Sequence, residues 1–147
     1  MPVSPIPEGY HAVSPYLIAK NAGALLEFLQ KGFGAEETFR MDMPDGSVGH
    51  AEVRIGDSVV MVGQAGDAWP AVPSALHLYV TDVDATYKTA VAAGATSKDE
   101  PEDQFYGDRR ANVIDPAGNQ WFIATHVEDV PPEEMERRMK EAMGKPK

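Results

Sequence analysis

A chain of 147 residues has the length of one domain, and a domain of that size buries roughly 68–70% of the surface it exposes unfolded, so a full hydrophobic core is within reach. A net charge of −10 and a pI near 4.7 leave no basic stripe to neutralise phosphates, which argues against a nucleic-acid partner. The absence of cysteine excludes disulfides, thiolate metal sites and a cysteine nucleophile, and no apolar run approaches the roughly 18 residues of a membrane span.

The opening segment, MPVSPIPEGYHAVSP, has neither a basic stretch nor an apolar stretch of the kind that directs export, so a cytoplasmic protein is expected. Pro2, Pro5 and Pro7 make it an extended arm, because proline removes a donor and turns the preceding residue away from helix. The fold proper is expected from Tyr10. A strand over His11–Ala19 leads to a helix over Ala22–Phe33, in which Leu25, Leu26, Leu29 and Phe33 share one face and Gly34 suits a left-handed cap. A strand near Glu37–Met41, a turn at Pro44-Asp45-Gly46 and strands over Val48–Ile55 and Ser58–Gly63 follow.

After the loop GQAGDAWPAVP the same order returns: a strand over Ala75–Val80, a helix over Val83–Ala93, an acidic loop, and strands over Arg109–Ile114 and Asn119–Thr125. Gly34-Ala35 recurs as Gly94-Ala95, 60 residues on, and VGHAEVRIGDSVVMV lies over YGDRRANVIDPAGNQWFIA. Two tandem βαβββ modules, 10–66 and 74–126, are the economical reading. They predict an α+β fold in which a curved mixed sheet surrounds a cleft. Beyond His126, residues 130–143 predict a helix that opens after Pro131-Pro132, with Glu133/Arg137, Glu134/Arg138 and Glu136/Lys140 spaced for ion pairs. The stripe of Met135, Met139 and Met143 is expected to pack on the body of the protein or on a second subunit.

These modules, with DVDATYKTAVAAGAT in the second helix and IDPAGNQWFIATH at the last hairpin, resemble the vicinal oxygen chelate superfamily. That superfamily includes glyoxalase I, extradiol dioxygenases, fosfomycin-modifying enzymes and metal-free bleomycin-resistance proteins. GHAEVRIGDSVVMV and the THVEDV tail resemble its PhnB-like, glyoxalase/bleomycin-resistance-like subgroup in particular. The resemblance runs from about Tyr10 to Arg138 and implies a fold more strongly than a function, because one scaffold here hosts isomerases, lyases, oxygenases and binders. It also implies a homodimer.

In the family's metalloenzymes one divalent ion is held by a side chain from the first and the last strand of each unit. Matching VTDVDA (Val80–Ala85) and the DPxGxxxE pattern to this chain puts those four slots at Ser14, Met61, Ala75 and Phe122. None is an imidazole or a carboxylate, so no metal site and no cofactor are expected. His77 lies two residues beyond its slot.

Strand alternation names the other side chains on the same faces. His77 and Tyr79 accompany Ala75; Val59 and Gly63 accompany Met61; Gln120, Ala124 and His126 accompany Phe122. On the neighbouring strands Ala51, Val53 and Ile55 are expected to face the helix and His50, Glu52 and Arg54 the cleft. Arg110 and Asn112 face inward in the second module, and Trp121 and Ile123 belong to the core. His77, His50 and Glu52 are thus the candidate acid–base residues, and Tyr79, Met61, Arg110, Asn112, Gln120 and Phe122 the candidate ligand-binding residues. Two functions stay open: a metal-independent binder of a small organic molecule, or a lyase or isomerase working on a carbonyl compound through the His and Glu side chains.

Overall fold

In the computed structural model, which describes residues 3–144, the first repeat runs β1 (Tyr16–Ala19), α1 (Ala22–Phe33), β2 (Glu36–Asp42), β3 (Val48–Ile55) and β4 (Ser58–Gln64). The second runs β5 (Ala75–Tyr79), α2 (Val83–Ala92), β6 (Thr96–Asp103), β7 (Asp108–Ile114) and β8 (Gln120–His126), and α3 (Pro132–Gly144) follows. The strands form two four-stranded sheets, ordered β1-β4-β3-β2 and β5-β8-β7-β6. In each, the first strand pairs in parallel with the last, β1 with β4 and β5 with β8, and the other pairs are antiparallel. The tandem βαβββ architecture and the terminal helix follow the sequence. No helix among the described residues is long and apolar enough to cross a membrane.

Both helices pack into one core. Leu25, Leu26, Phe28 and Leu29 of α1 and Val83 and Ala90 of α2 are buried with Val53, Val62, Val113, Trp121 and Ile123 from the sheets. Gly32 permits the close approach of the two helices, since a Cβ there would sit 3.5 Å from the Ala90 backbone and against the Phe28 ring. Phe33 bridges the repeats, its ring centroid 4.7 Å from that of Trp121.

Each helix start is tied to the strand that closes its own repeat. Gln64 accepts from Ala22 N–H (2.9 Å) and donates to the Lys20 carbonyl (2.6 Å). Thr125 does the same in the second repeat, accepting from Val83 N–H (2.8 Å) and donating to the Val80 carbonyl (2.9 Å). Asn21 and Asp82 cap the helices by accepting from Ala24 and Ala85 N–H. Gly34, at φ 67°, ends α1 in the left-handed conformation expected of it.

Four expectations are corrected. The first strand is only Tyr16–Ala19; Pro15 still accepts from Met61 N–H (2.9 Å), but the chain before it turns away, with Tyr10 N–H bonded to the Pro7 carbonyl. The supposed acidic loop is β6, an exposed edge strand. An edge needs a partner on one side only, and Pro101, which cannot donate to a ladder, lies at its register irregularity between Asp99 and Glu102. In α3, Arg137 pairs with Glu134 and Glu141 in place of Glu133. Of the methionine stripe, Met135 is half-buried while Met139 and Met143 are exposed and so do not pack on the body, and the helix is held by Arg138, which donates to Glu128 (2.7 and 2.9 Å) and the Phe105 carbonyl.

The turn between β7 and β8 is organised by one carboxylate. Asp115, 4% exposed, accepts from Ala117 N–H (2.8 Å), Asn119 N–H (3.0 Å), Asn119 Nδ2 (3.0 Å) and Trp121 Nε1 (2.8 Å). Asn119 Oδ1 then accepts from Ser74 N–H (2.8 Å), fixing the residue before β5. An Asp115→Ala variant leaves these donors without their acceptor, two of them on buried side chains. We expect a loss of about 3 kcal/mol or more in urea unfolding, with Asp115→Asn between it and the wild type.

Candidate functional site

The face of each sheet away from its helix stays open, with Tyr16 49% and Tyr79 61% exposed. Register determines which side chains meet there. On the first sheet Tyr16, Met61, Glu52 and Phe39 form one cross-strand row and Ile18, Gly63, His50 and Met41 the next. Gly63 has no side chain because the Tyr16 ring lies on it; a Cβ would come within 2.7 Å of that ring. So seated, the Tyr16 hydroxyl lies 3.2 Å from His50 Nδ1.

From there a chain of hydrogen bonds crosses the face. His50 Nε2 is 2.9 Å from Glu52, and the hydroxyl of Tyr10, from the N-terminal arm, donates to the other Glu52 oxygen. The Tyr10 hydroxyl, and after it His50, hold the Glu52 carboxyl below the usual carboxylate range, and Glu52 in turn raises Tyr10. His50 and Glu52 are therefore brought together as expected, while Arg54 is exposed. The arm, Glu52 and Met61 line a shallow recess of about 470 Å³ that also includes Ser14. A second recess of about 420 Å³ lies between Tyr16, Gly63 and Trp69.

The second sheet presents rings. His77 stands beside Phe122 with the planes 6° apart and centroids 6.4 Å apart, and beside Tyr79 at 4.6 Å. His77 is exposed and, among the described residues, makes ring contacts alone. The Arg110 guanidinium lies over the Phe122 ring, 5.5 Å from its centroid, and donates to the Tyr106 hydroxyl (2.9 Å). Gln120 pairs in register with Ala75. Asn112 is on this face but 3% exposed, donating to Asp99 (2.8 Å), and its Oδ1 is a buried acceptor with no partner. Trp121 and Ile123 are core residues, as expected.

Four polar groups were hard to foresee. Asp108, 3% exposed, accepts from the Tyr79 hydroxyl (2.8 Å) and lies 2.8 Å from His126 Nδ1, while His126 Nε2 is 2.7 Å from Asp129. Asp108 raises the pKa of Tyr79, and Asp108 followed by Asp129 raises that of His126. Tyr10 reaches Glu52 from 42 residues away. Only the alternation from Phe122 through Ala124 to His126 gave any sign of this second network.

The four slots that the sequence pattern gives to metal ligands, Ser14, Met61, Ala75 and Phe122, carry a hydroxyl, a thioether, a methyl and a phenyl, and the register sets Tyr16 opposite Met61 and His77 opposite Phe122. These donors do not fit a divalent metal. Among the described residues no group of three or more His, Asp or Glu side chains is arranged to hold one.

His126 carries a pH dependence with a definite sign. Its folded pKa lies above the ordinary histidine value of about 6.5, so its contribution to stability is complete below about that pH and is lost as pH rises through the folded value. Imidazole resonances of His126 should titrate above those of a free histidine and move down in Asp129→Asn. Urea unfolding between about pH 6 and 9 should show a decline that His126→Gln lacks.

Residues 10–123 match the family model of the Glyoxalase/Bleomycin resistance protein/Dioxygenase superfamily. An uncharacterised protein of Mycobacterium bovis is 35% identical over an alignment of 139 residues that covers 87% of this chain and 91% of that one. An uncharacterised protein of Mycobacterium tuberculosis matches at the same identity over 82% of its length. Among solved structures, TioX from Micromonospora sp. ML1 superposes with a TM-score of 0.68 at 23% identity, covering 79% of this chain and all (100%) of that one. A glyoxalase/bleomycin resistance protein/dioxygenase family enzyme from Burkholderia phytofirmans PsJN gives 0.64 at 21% identity, over 76% of this chain and 95% of its own. With paired βαβββ repeats, parallel closure of each sheet and a family model matched across both, the chain belongs to the Glyoxalase/Bleomycin resistance protein/Dioxygenase superfamily.

Proposed function

We propose that this protein binds a small organic molecule on the open faces of its sheets, without the divalent ion of the superfamily's metalloenzymes. What supports the reading is an aromatic wall: Phe122, at a position that the sequence pattern gives to a metal ligand, stands beside His77, which in turn abuts Tyr79. Such a wall, with a few polar groups at its rim, suits a flat, partly apolar ligand. We also read the GHAEVRIGDSVVMV segment and the THVEDV tail as support for a PhnB-like affinity within the superfamily.

A second reading, a lyase or isomerase acting on a carbonyl compound, draws on the Tyr10–Glu52–His50–Tyr16 chain, which could take up and pass a proton. Metal content separates the two. Protein purified without chelator and challenged with Ni, Zn, Mn and Fe(II) is expected to retain none at stoichiometric occupancy; about one ion per chain would favour the enzyme. In a thermal-shift screen of aromatic natural products and antibiotics, a true ligand at about a hundred times its Kd contributes ~2.7 kcal/mol, a rise of roughly 5–10 °C. Phe122→Ala should abolish the rise, and a screen without any stabilising compound would end the binding reading.

We further propose a homodimer, in which a second copy covers part of the faces where Tyr16, Phe39, Met41, Trp69 and Tyr79 are exposed. Light scattering should give a mass of two chains, and a mass of one would refute it.

A further inference from the structure

Of the six arginines, Arg110 and the exposed Arg54 have no ion pair among the described residues, and of these two only Arg110 is half-buried. Arg40, Arg109, Arg137 and Arg138 are all ion-paired. Arg109, its neighbour in sequence, points to the opposite side of β7 and takes both Asp84 and Asp103. Arg110 has Glu102 as its register partner on β6, yet among the described residues no carboxylate oxygen lies within 4.0 Å of its guanidinium. Among the described residues its one side-chain hydrogen bond goes to the Tyr106 hydroxyl. A chain with 23 acidic residues thus leaves a half-buried cation unneutralised on the face where its rings are gathered.

The geometry around it is specific. The guanidinium is over the Phe122 ring, Phe122 is parallel to His77, and His77 abuts Tyr79. A guanidinium presents five N–H donors in a planar fork that matches a carboxylate edge-on, and here most of the fork is uncommitted. A flat ring laid along the aromatic wall would carry a substituent toward Arg110. An oxyanion in that position gains charge-assisted hydrogen bonds, whereas an ammonium group would meet a like charge. The net charge of −10 opposes anions at long range, but that field is screened within about 8 Å at physiological salt, so the contact group decides.

We propose that the second sheet's open face is a subsite for aromatic carboxylates, with the ring against Phe122, His77 and Tyr79 and the carboxylate on Arg110. This rests on the small-molecule reading above and narrows it to one ligand class.

The test uses isothermal titration calorimetry of the full chain with 2-naphthoate and its neutral counterpart 2-naphthamide. Wild type should bind the carboxylate about tenfold tighter or more than the amide. Arg110→Gln should remove that preference while leaving the amide within about twofold. Phe122→Leu, which keeps Arg110, should weaken both compounds alike. Equal affinities in the wild type, or a preference that survives Arg110→Gln, would overturn the carboxylate assignment and leave the small-molecule reading standing on the amide. Binding of neither compound would overturn it as well, and the broader reading would then be judged by the thermal-shift screen alone. An unchanged circular dichroism spectrum and melting temperature for Arg110→Gln would show that any loss is local.

Discussion

Parallel pairing between the first and last strand of each repeat is the constraint from which the rest of this molecule follows. A parallel pair cannot be closed by a tight turn and needs a crossover. That crossover is the helix together with two further strands, so residues 20–57 in the first module and 80–119 in the second are organised by one pairing. Tyr16 is thereby set opposite Met61 and His77 opposite Phe122 on the open faces. The ties from Gln64 and Thr125 to the helix starts do the complementary work, locking the last strand to the beginning of the crossover it encloses.

Because α1 and α2 share one core, the apolar demand of both repeats is met on one side of each sheet. The other side is released from packing and is free to carry chemistry. The two faces have used that freedom differently. The first is a hydrogen-bonded chain through Tyr10, Glu52, His50 and Tyr16, in which every member is polar and titratable. The second keeps its comparable network, Tyr79–Asp108–His126–Asp129, toward one end and gives its centre to rings. Duplication supplied the same backbone twice, and the side chains on it diverged.

What could be read in advance was whatever leaves a periodic trace. The α1 boundaries follow from the spacing of Leu25, Leu26 and Leu29 and from Gly34, and β3 from its alternation over residues 51–55, since in both a buried face repeats at the period of the backbone. The same alternation placed His50, Glu52, His77 and Phe122 on the correct faces. β6 was illegible because neither of its faces is buried: eight residues, mostly charged or polar, become a strand only through pairing with β7. The contacts of Tyr10 with Glu52, of Asp108 with Tyr79 and His126, and of Asp115 with the Trp121 indole depend on where the folded chain returns, and carry no local signature. The turn residues Asp115-Pro116-Ala117-Gly118 announced a hairpin, but not that the aspartate would be its hub.

The acidic character of β6 bears on how copies of this protein meet. It is the outer strand of its sheet, with one row of backbone donors and acceptors facing outward, the arrangement through which sheets join edge to edge. Asp99, Glu100, Glu102 and Asp103 crowd that border, and Pro101 interrupts it. Two such borders brought side by side would oppose like charges, and the interrupted ladder could not continue across them. The strand thus acts as a fender against the indiscriminate lateral growth that open sheets invite.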